Sequence, residues 1–310
     1  MSAVMSPKLI DLNDWVLAGE GANGQLYYHR TDESLVLKLN REDMAADRAE
    51  KEFSVSKAVH DMGVRCPGIY DFVTDGKRIG VTGERIKDKK SFVRLISEDR
   101  SRLEPLAREF ARRSKEFHSL QCDTAVFRSY KEKARAAYES CGAIPEEARR
   151  VLLSCLDDMS DDTTPVHGDF QPGNIIRSGE RDYWIDLGDL TFGDPDIDFA
   201  SLRMLAGYTP SAVVKYLFHI SKKVMARFVE VYGAEYYGDR WHSRELDEKL
   251  DKALCLKMGM SIASRPRSAF MFLPYIMGRK FRANLIAGMC DLFLTEKIYR
   301  KKSQVPGREG

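Results

Sequence analysis

Between Val166 and Asp189 the chain reads VHGDFQPGNIIRSGERDYWIDLGD, and three of its side-chain oxygens are spaced for work on a cation. Asp169 and Asn174 flank the start of a short apolar run, Asn174–Arg177, and Asp186 follows directly on a second, Tyr183–Ile185. The link Ser178–Asp182 is polar and contains a glycine, so the two runs are expected to form a β-hairpin. A hairpin folds back on itself, and its outer ends meet. Two carboxylates and a carboxamide then offer hard oxygens to one place. That suits magnesium, which takes few protein oxygens and shares the rest of its shell with water and phosphate. The pattern is one for holding a metal–nucleotide.

Phosphates need positioning groups as well, and the first third of the chain offers them. Trp15–Ala18 reads as a strand, Gly19-Glu20-Gly21-Ala22-Asn23-Gly24 as a loop, and Leu26–Tyr28 and Leu35–Leu39 as strands around a turn at Arg30–Ser34. A lone GxGxxG is a weak signal, because dinucleotide-binding folds and plain hairpins share it. In a dinucleotide fold the last glycine opens a helix, whereas here it leads into β-branched and aromatic residues. The glycines are therefore expected in a strand–loop–strand, where missing side chains let backbone N–H groups approach phosphate oxygens. Glu20 sits awkwardly among phosphates and is expected to point away. Lys38 lies in an apolar strand that could hold its stem while its ammonium reaches a phosphate; a solvated strand lysine is the plain alternative.

The rest of this third completes a small β-rich unit. A helix is expected over Ala45–Met62, ending at Gly63, with Ala49, Phe53, Val55 and Val59 inward. It carries Glu52, the carboxylate expected to pair with Lys38, and the adjacent Glu50. Strands at Ile69–Val73 and Arg78–Ile86 then give a five-stranded sheet with one helix over residues 9–86. From Ser91 the pattern turns helical: Leu103–Leu120 carries apolar residues at 103, 106, 107, 110, 111 and 117, close to a 3.6 period. Residues 126–157 form a helical pair broken at Gly142–Pro145, Asp194 is a candidate cap with Pro195 at the first helical position, and 196–300 look almost wholly helical. Ser303–Gly310 look frayed. The domain expectation is an N-terminal β-rich nucleotide-binding lobe, residues 1–86, and a C-terminal helical lobe, residues 87–310.

Composition limits what such a chain can be. Its 310 residues hold 49 basic and 47 acidic side chains, a net charge of +2, which argues against a nucleic-acid partner. The six cysteines are scattered without metal-ligand spacing and read as reduced packing residues, pointing to the cytoplasm. No leader pattern stands at the start, and the longest apolar runs, such as Ala269–Met277, are too short to span a bilayer, so no membrane association is expected. The oligomeric state leaves no mark in the sequence.

The order of glycine loop, strand lysine, helix glutamate, Asp-x4-Asn loop and metal aspartate is that of kinases. Its wording resembles the aminoglycoside phosphotransferase and choline kinase-like superfamily. His167-Gly168-Asp169-Phe170-Gln171-Pro172-Gly173-Asn174 is similar to that family's HGDxxPGN. Ile185-Asp186-Leu187-Gly188-Asp189 and Gly193-Asp194-Pro195 through Asp198-Phe199-Ala200 are similar to its IDxxD and GDPxxDxA. Gly80–Ile86 and Ile185–Leu190 look most like bacterial phosphotransferases of unassigned substrate.

The resemblance covers roughly residues 12–205 and implies an α+β, bilobed protein kinase-like fold, with a small antiparallel β-sheet N-lobe carrying one helix and a larger, mostly helical C-lobe. It implies ATP and Mg2+ as cofactors. Asp169 would be the base, and Asn174 and Asp186 the magnesium ligands. Lys38 would hold the α/β-phosphates and pair with Glu52. Gly19, Gly21 and Gly24 would cover the phosphates, and the backbone from Glu84 to Ile86 would face the adenine.

His167 is expected to brace its loop, and Asp189, Asp194 and Asp198 to serve as scaffold and capping groups. Gly168 stands where protein kinases carry an arginine, and the short span from Asp186 to Asp194 leaves no room for a long activation loop. Both favour a small hydroxyl acceptor: an aminoglycoside, an amino alcohol or a sugar-like compound. The acidic run Asp157, Asp158, Asp161 and Asp162 is either an amine-attracting rim or a solvated loop. The basic stretch Arg265–Arg282 either faces the cleft or lies on the surface. A regulatory pseudokinase and a protein kinase are the alternative functions.

Overall fold

The computed structural model describes residues 6–21 and 24–263, without the side chains of 47, 48, 51 and 52. The expectations for Arg265–Arg282, for helix beyond residue 263 and for Ser303–Gly310 lie outside the described residues.

In chain order the elements are β1 (Lys8–Leu9), β2 (Trp15–Gly21), β3 (Gly24–His29), β4 (Leu35–Asn40), α1 (Ala46–Asp61), β5 (Ile69–Thr74), β6 (Ile79–Glu84), β7 (Lys90–Ser91), α2 (Phe92–Glu98), α3 (Leu103–His118), α4 (Tyr130–Ser140) and α5 (Glu146–Asp157). There follow β8 (Pro165–Val166), β9 (Ile175–Ser178), β10 (Arg181–Trp184), β11 (Thr191–Phe192), α6 (Asp196–Gly207), α7 (Ser211–Phe218), α8 (Lys222–Tyr237) and α9 (Arg244–Ala263). Two compact units result. One runs to Ser91 and takes in Asn174–Asp189; the other comprises Phe92–Gly173 and the described chain from Leu190 on.

The first unit is built on a sheet of order β1-β5-β6-β4-β3-β2. The expected five strands are six, because β1 pairs parallel to β5 through Lys8 and Leu9. Two residues carry no periodicity, so nothing in the sequence marks such a strand. Alternation sorts the sheet's faces. Leu37, Leu39, Trp15 and Val73 bury one face, while Phe72 and half-buried Val81 line the other, against Ala49 and Phe53 of α1. Helix α1 ends as expected, with Gly63 at φ +91°.

A second, three-stranded sheet of order β10-β9-β7 completes this unit. In the second unit, Leu103, Leu106, Ala107, Phe110, Ala111 and Phe117 of α3 are all buried, as their spacing predicts. Phe110 meets Phe228 of α8 at 5.5 Å between ring centres, and Phe199 of α6 stacks on Tyr232 at 5.4 Å. Helix α9 comes close to α4 and α5 because Gly259 has no side chain; a Cβ there would lie 2.9 Å from Leu152 and 3.0 Å from Tyr138.

Candidate active site

The hairpin expected around the oxygen donors is β9–β10. Ser178 pairs with Arg181, which leaves a two-residue turn, Gly179-Glu180, with Gly179 at φ +56°. Arg177 and Asp182 stand directly opposite each other and form a two-pronged ion pair, Nε to Oδ1 at 2.7 Å and Nη2 to Oδ2 at 2.8 Å. At the open end the Ile185 N–H donates to the Asn174 carbonyl at 3.0 Å. That bond brings Asn174 and Asp186 to one end of the hairpin. Asn174 is buried; Asp186 is exposed and holds φ +60°, the left-handed conformation that a residue with a Cβ adopts only at a cost.

Among the described residues no three His, Cys, Asp or Glu side chains are gathered as a metal cage. The donor set here is one carboxamide and one carboxylate, both hard oxygens. It fits an ion that completes its shell with phosphate and water.

The glycine loop is a strand–loop–strand as expected, with Ala22 and Asn23 at its tip outside the described residues. Gly24 is required by the sheet itself, since a Cβ would lie 2.1 Å from the Leu39 carbonyl oxygen, whereas one at Gly19 would meet nothing within 4 Å. Register settles which way the loop's charges face. Glu20 pairs with Gln25 and Gln25 with Leu39, so Glu20 shares the face of Leu39, away from Lys38. Gln25 Nε2 donates to Glu20 Oε2 at 3.3 Å, and Gln25 Oε1 accepts from Arg78 Nη1 and from the Tyr27 hydroxyl, both at 2.5 Å.

Lys38 is exposed and paired in register with Val81, which puts it on the α1 side of the sheet. The side chain of Glu52 lies outside the described residues, and with it the expected pairing with Lys38. At the end of β6, the Glu84 N–H donates to Gly68 O at 2.8 Å and the Arg85 N–H to Ser34 O at 2.7 Å, while Glu84 Oε2 accepts from the Gly68 N–H at 3.1 Å. Backbone bonding within the first unit thus takes up two of the three N–H groups expected to face a base.

Asp169 belongs to the second unit, in a loop held from several sides. Asp198 on α6 is wholly buried, and its carboxylate accepts from His167 N at 2.8 Å, Gly168 N at 3.1 Å and His118 Nε2 at 3.2 Å. A carboxylate is an acceptor only, so Nε2 of His118 donates to it, while Nδ1 lies 2.7 Å from the Tyr236 hydroxyl. Burial pushes the Asp198 pKa up. The hydrogen bond and charge of His118, with the charge and main-chain N–H of His167, outweigh burial and hold it below the usual carboxylate range.

His167 braces the loop as expected: it is buried, and its Nδ1 accepts from the Asp169 N–H at 3.4 Å. Phe170, next to Asp169, is fully buried against Phe110 at 4.8 Å and Tyr232 at 6.0 Å. Burying such a ring stabilises by about 1.5–3 kcal/mol and anchors the loop. Asp194 caps α6 by accepting from the Asp196 N–H at 2.9 Å, with the helix starting at Asp196, one residue later than expected. Sequence reasoning does not reach His118, Phe170 or Lys257. The only signals were a histidine at the end of α3 and a single charge in the run Leu254–Ile262.

The four carboxylates of the acidic run are exposed, and three of them have a cation beside them. Asp157 pairs with Arg135 at 2.5 Å, Asp158 with Lys252 at 3.0 Å and Asp161 with Lys131 at 3.0 Å, while Asp162 accepts from Ser160. The cations come from α4 and α9. The five described cysteines are free thiols. No described helix is long and apolar enough to cross a membrane.

No curated protein matched the chain by sequence. Solved structures resemble it over nearly its whole length. The streptomycin–ATP ternary complex of APH(2'')-IIa aligns with a TM-score of 0.57 at 18% identity, covering 91% of this chain and 93% of that one. Aminoglycoside phosphotransferase APH(4)-Ia aligns at 0.62 and 12%, covering 89% and 93%. Choline kinase LicA from Streptococcus pneumoniae aligns at 0.55 and 16%, covering 90% and 95%. These likenesses establish the fold, that of the protein kinase-like phosphotransferases. Residues 14–246 also match the sequence model of the APH phosphotransferase enzyme family. With three quarters of its length inside that match, the chain belongs to the APH phosphotransferase enzyme family.

Proposed function

We propose that this protein moves the γ-phosphate of ATP to a hydroxyl of a small molecule, with Asp169 as the base and Asn174 and Asp186 as the magnesium ligands. The Ile185–Asn174 bond at the mouth of the hairpin carries the reading, because it gathers the two oxygen donors at one end. Only Phe170 to Gly173 separate Asp169 from Asn174 along the chain. When bound, magnesium would neutralise charge on the phosphate oxygens.

The chain's own residues supply position. Lys38 meets the α/β-phosphates, with Glu52 as its partner. Gly19, Gly21 and Gly24 let the loop backbone come close to the phosphates, and the Ile86 N–H faces the adenine. The acceptor oxygen bonds to the γ-phosphorus as the bond to the bridging oxygen breaks. ADP leaves with that electron pair, and the hydroxyl proton passes to Asp169. In a loose transition state this proton leaves late, so positioning outweighs basicity.

The acceptor is an aminoglycoside, an amino alcohol or a sugar-like compound. The streptomycin of one structural neighbour and the choline-kinase activity of another favour this range. Asp157, Asp158 and Asp161 each stand beside a cation. ATP as donor and free thiols both suit the cytoplasm.

The test is an ADP-release screen across aminoglycosides, amino alcohols, sugars and nucleosides, with the product phosphate located by NMR. Asp169→Ala is run beside the wild type. Removing the base is expected to lower turnover by about 10²–10⁴-fold while ATP affinity holds within about twofold. Undiminished turnover in that variant removes the mechanism.

A further inference from the structure

The peptide that joins Gly168 to Asp169 is held at both of its polar atoms. Its N–H, on Asp169, donates to His167 Nδ1 at 3.4 Å, and its carbonyl, on Gly168, accepts from the ammonium of Lys257. Gly168 itself sits at φ +84°, and its own N–H is bound by Asp198 at 3.1 Å. The two dihedral angles that aim the Asp169 side chain therefore start from a peptide plane pinned from His167 and from α9, directly after a plane pinned from α6.

Lys257 is the sole charge in the run Leu254–Ile262, where most residues are buried. A half-buried lysine gives up hydration and rotamer freedom, which destabilises unless its ammonium finds oxygen. Its helix is a firm platform: the Tyr138 hydroxyl donates to the Leu256 carbonyl at 2.6 Å, one residue earlier, and Gly259 seats the helix against Leu152 and Tyr138. The loop has glycine where protein kinases have arginine, and α9 returns a cation to that same residue.

We propose that Lys257 is a positioning residue for phosphoryl transfer, fixing the aim of Asp169 through the Gly168 carbonyl. This rests on the reading of Asp169 as the base. A merely structural lysine would change stability when replaced and leave turnover per folded molecule alone. A positioning lysine changes turnover and the local order of the loop.

The test uses the full chain with Lys257→Met, which keeps the apolar stem, and Lys257→Arg, which keeps the charge. Amide hydrogen exchange across residues 166–173 needs no acceptor. It is expected to quicken about tenfold in Lys257→Met, equivalent to about 1.4 kcal/mol of lost local protection, and to return near wild type in Lys257→Arg. ADP release from ATP and magnesium, with water as acceptor and with any active compound from the screen, is expected to fall at least tenfold in kcat with the KM for ATP unchanged. Unaltered exchange in a folded Lys257→Met overturns the proposal, as does full kcat.

Where Lys257→Met fails to fold, Lys257→Gln replaces it under the same criteria. The double variant with Asp169→Asn separates the two readings. If Lys257 acts through Asp169, the double variant is no slower than Asp169→Asn alone. Full activity of Asp169→Asn sinks the base assignment, whereas a multiplied loss in the double variant sinks only the role of Lys257.

Discussion

His118 and Asp198 meet at 3.2 Å with side chains only 5% and 0% exposed, and the same carboxylate holds two main-chain N–H groups of the loop that carries Asp169. Asp198→Ala strands those N–H groups and the imidazole together. Removing one partner of such a buried pair costs about 3–5 kcal/mol. Urea unfolding is expected to show a midpoint shift of that size, with turnover lost along with the loop's geometry. A shift below about 1 kcal/mol, the range of a surface pair, would contradict this account.

The same carboxylate gives a pH dependence of definite sign. Its folded pKa lies below the unfolded value of about 3.9, so the unfolded chain holds that proton more tightly. The stabilisation is complete above the unfolded value and is lost as pH falls through the depressed folded one. A titration of urea midpoints between pH 6 and 3 is expected to fall less steeply for Asp198→Asn than for the wild type at the acid end. Parallel curves would assign the acid sensitivity to other groups.

Gln25 links Glu20 in the glycine loop to Arg78, which is itself anchored on Asp75 at 2.8 Å. Gln25→Ala cuts this link and leaves the sheet pairing alone. The KM for ATP is expected to rise several-fold, with kcat within about twofold and stability within about 1 kcal/mol. Steady-state kinetics at fixed acceptor and a thermal melt check it; an unchanged KM would mean that the loop needs no brace.

With Asp186 at φ +60°, its proposed role as a magnesium ligand is set against stability. Non-glycine residues in this conformation cost about 1–2 kcal/mol, somewhat less for aspartate. Asp186→Gly is expected to lose turnover while gaining up to about 1 kcal/mol of stability, whereas Asp186→Ala loses turnover with no such gain. Equal melting temperatures for the two variants would argue that the strain is not stored in the folded state.

Burial pushes the Cys66 thiol up to about 11, with Glu84 adding to the effect, and the Cys122 thiol up to about 12. Both stay protonated at neutral pH, and the thiolate is the nucleophile. Alkylation of the native protein at pH 8 is expected to leave both largely unmodified and to proceed readily in urea. Rapid modification of Cys66 in the folded protein would place it in a more open setting.

Much of this was legible in the sequence, for identifiable reasons. The β9–β10 hairpin, the strand–loop–strand around Gly19–Gly24 and the inward stripe of α3 follow from local periodicity and turn chemistry, which depend on neighbours in the chain. Motif wording singled out Asp169, Asn174 and Asp186, and the hairpin brings the last two to one end. What the sequence hid depends on distant pairing. Strand β1 exists only because β5 lies beside it. The partners of the acidic run, Lys131, Arg135 and Lys252, come from other helices. His118, Phe170 and Lys257 grip the Asp169 loop through tertiary contacts that no spacing rule encodes.

The grouping of Asn174–Asp189 with the N-terminal unit has a consequence during synthesis. As the ribosome delivers the chain, β7 emerges with Lys90 and Ser91 but finds no partner until Arg177 and Ile176 follow. The first unit thus begins to fold long before its own chain is complete at Asp189. It must wait, with an unpaired edge, through the whole of the first stretch of the second unit. A stalled nascent chain ending before Asn174 is a chain without the hairpin that brings Asn174 and Asp186 to one end.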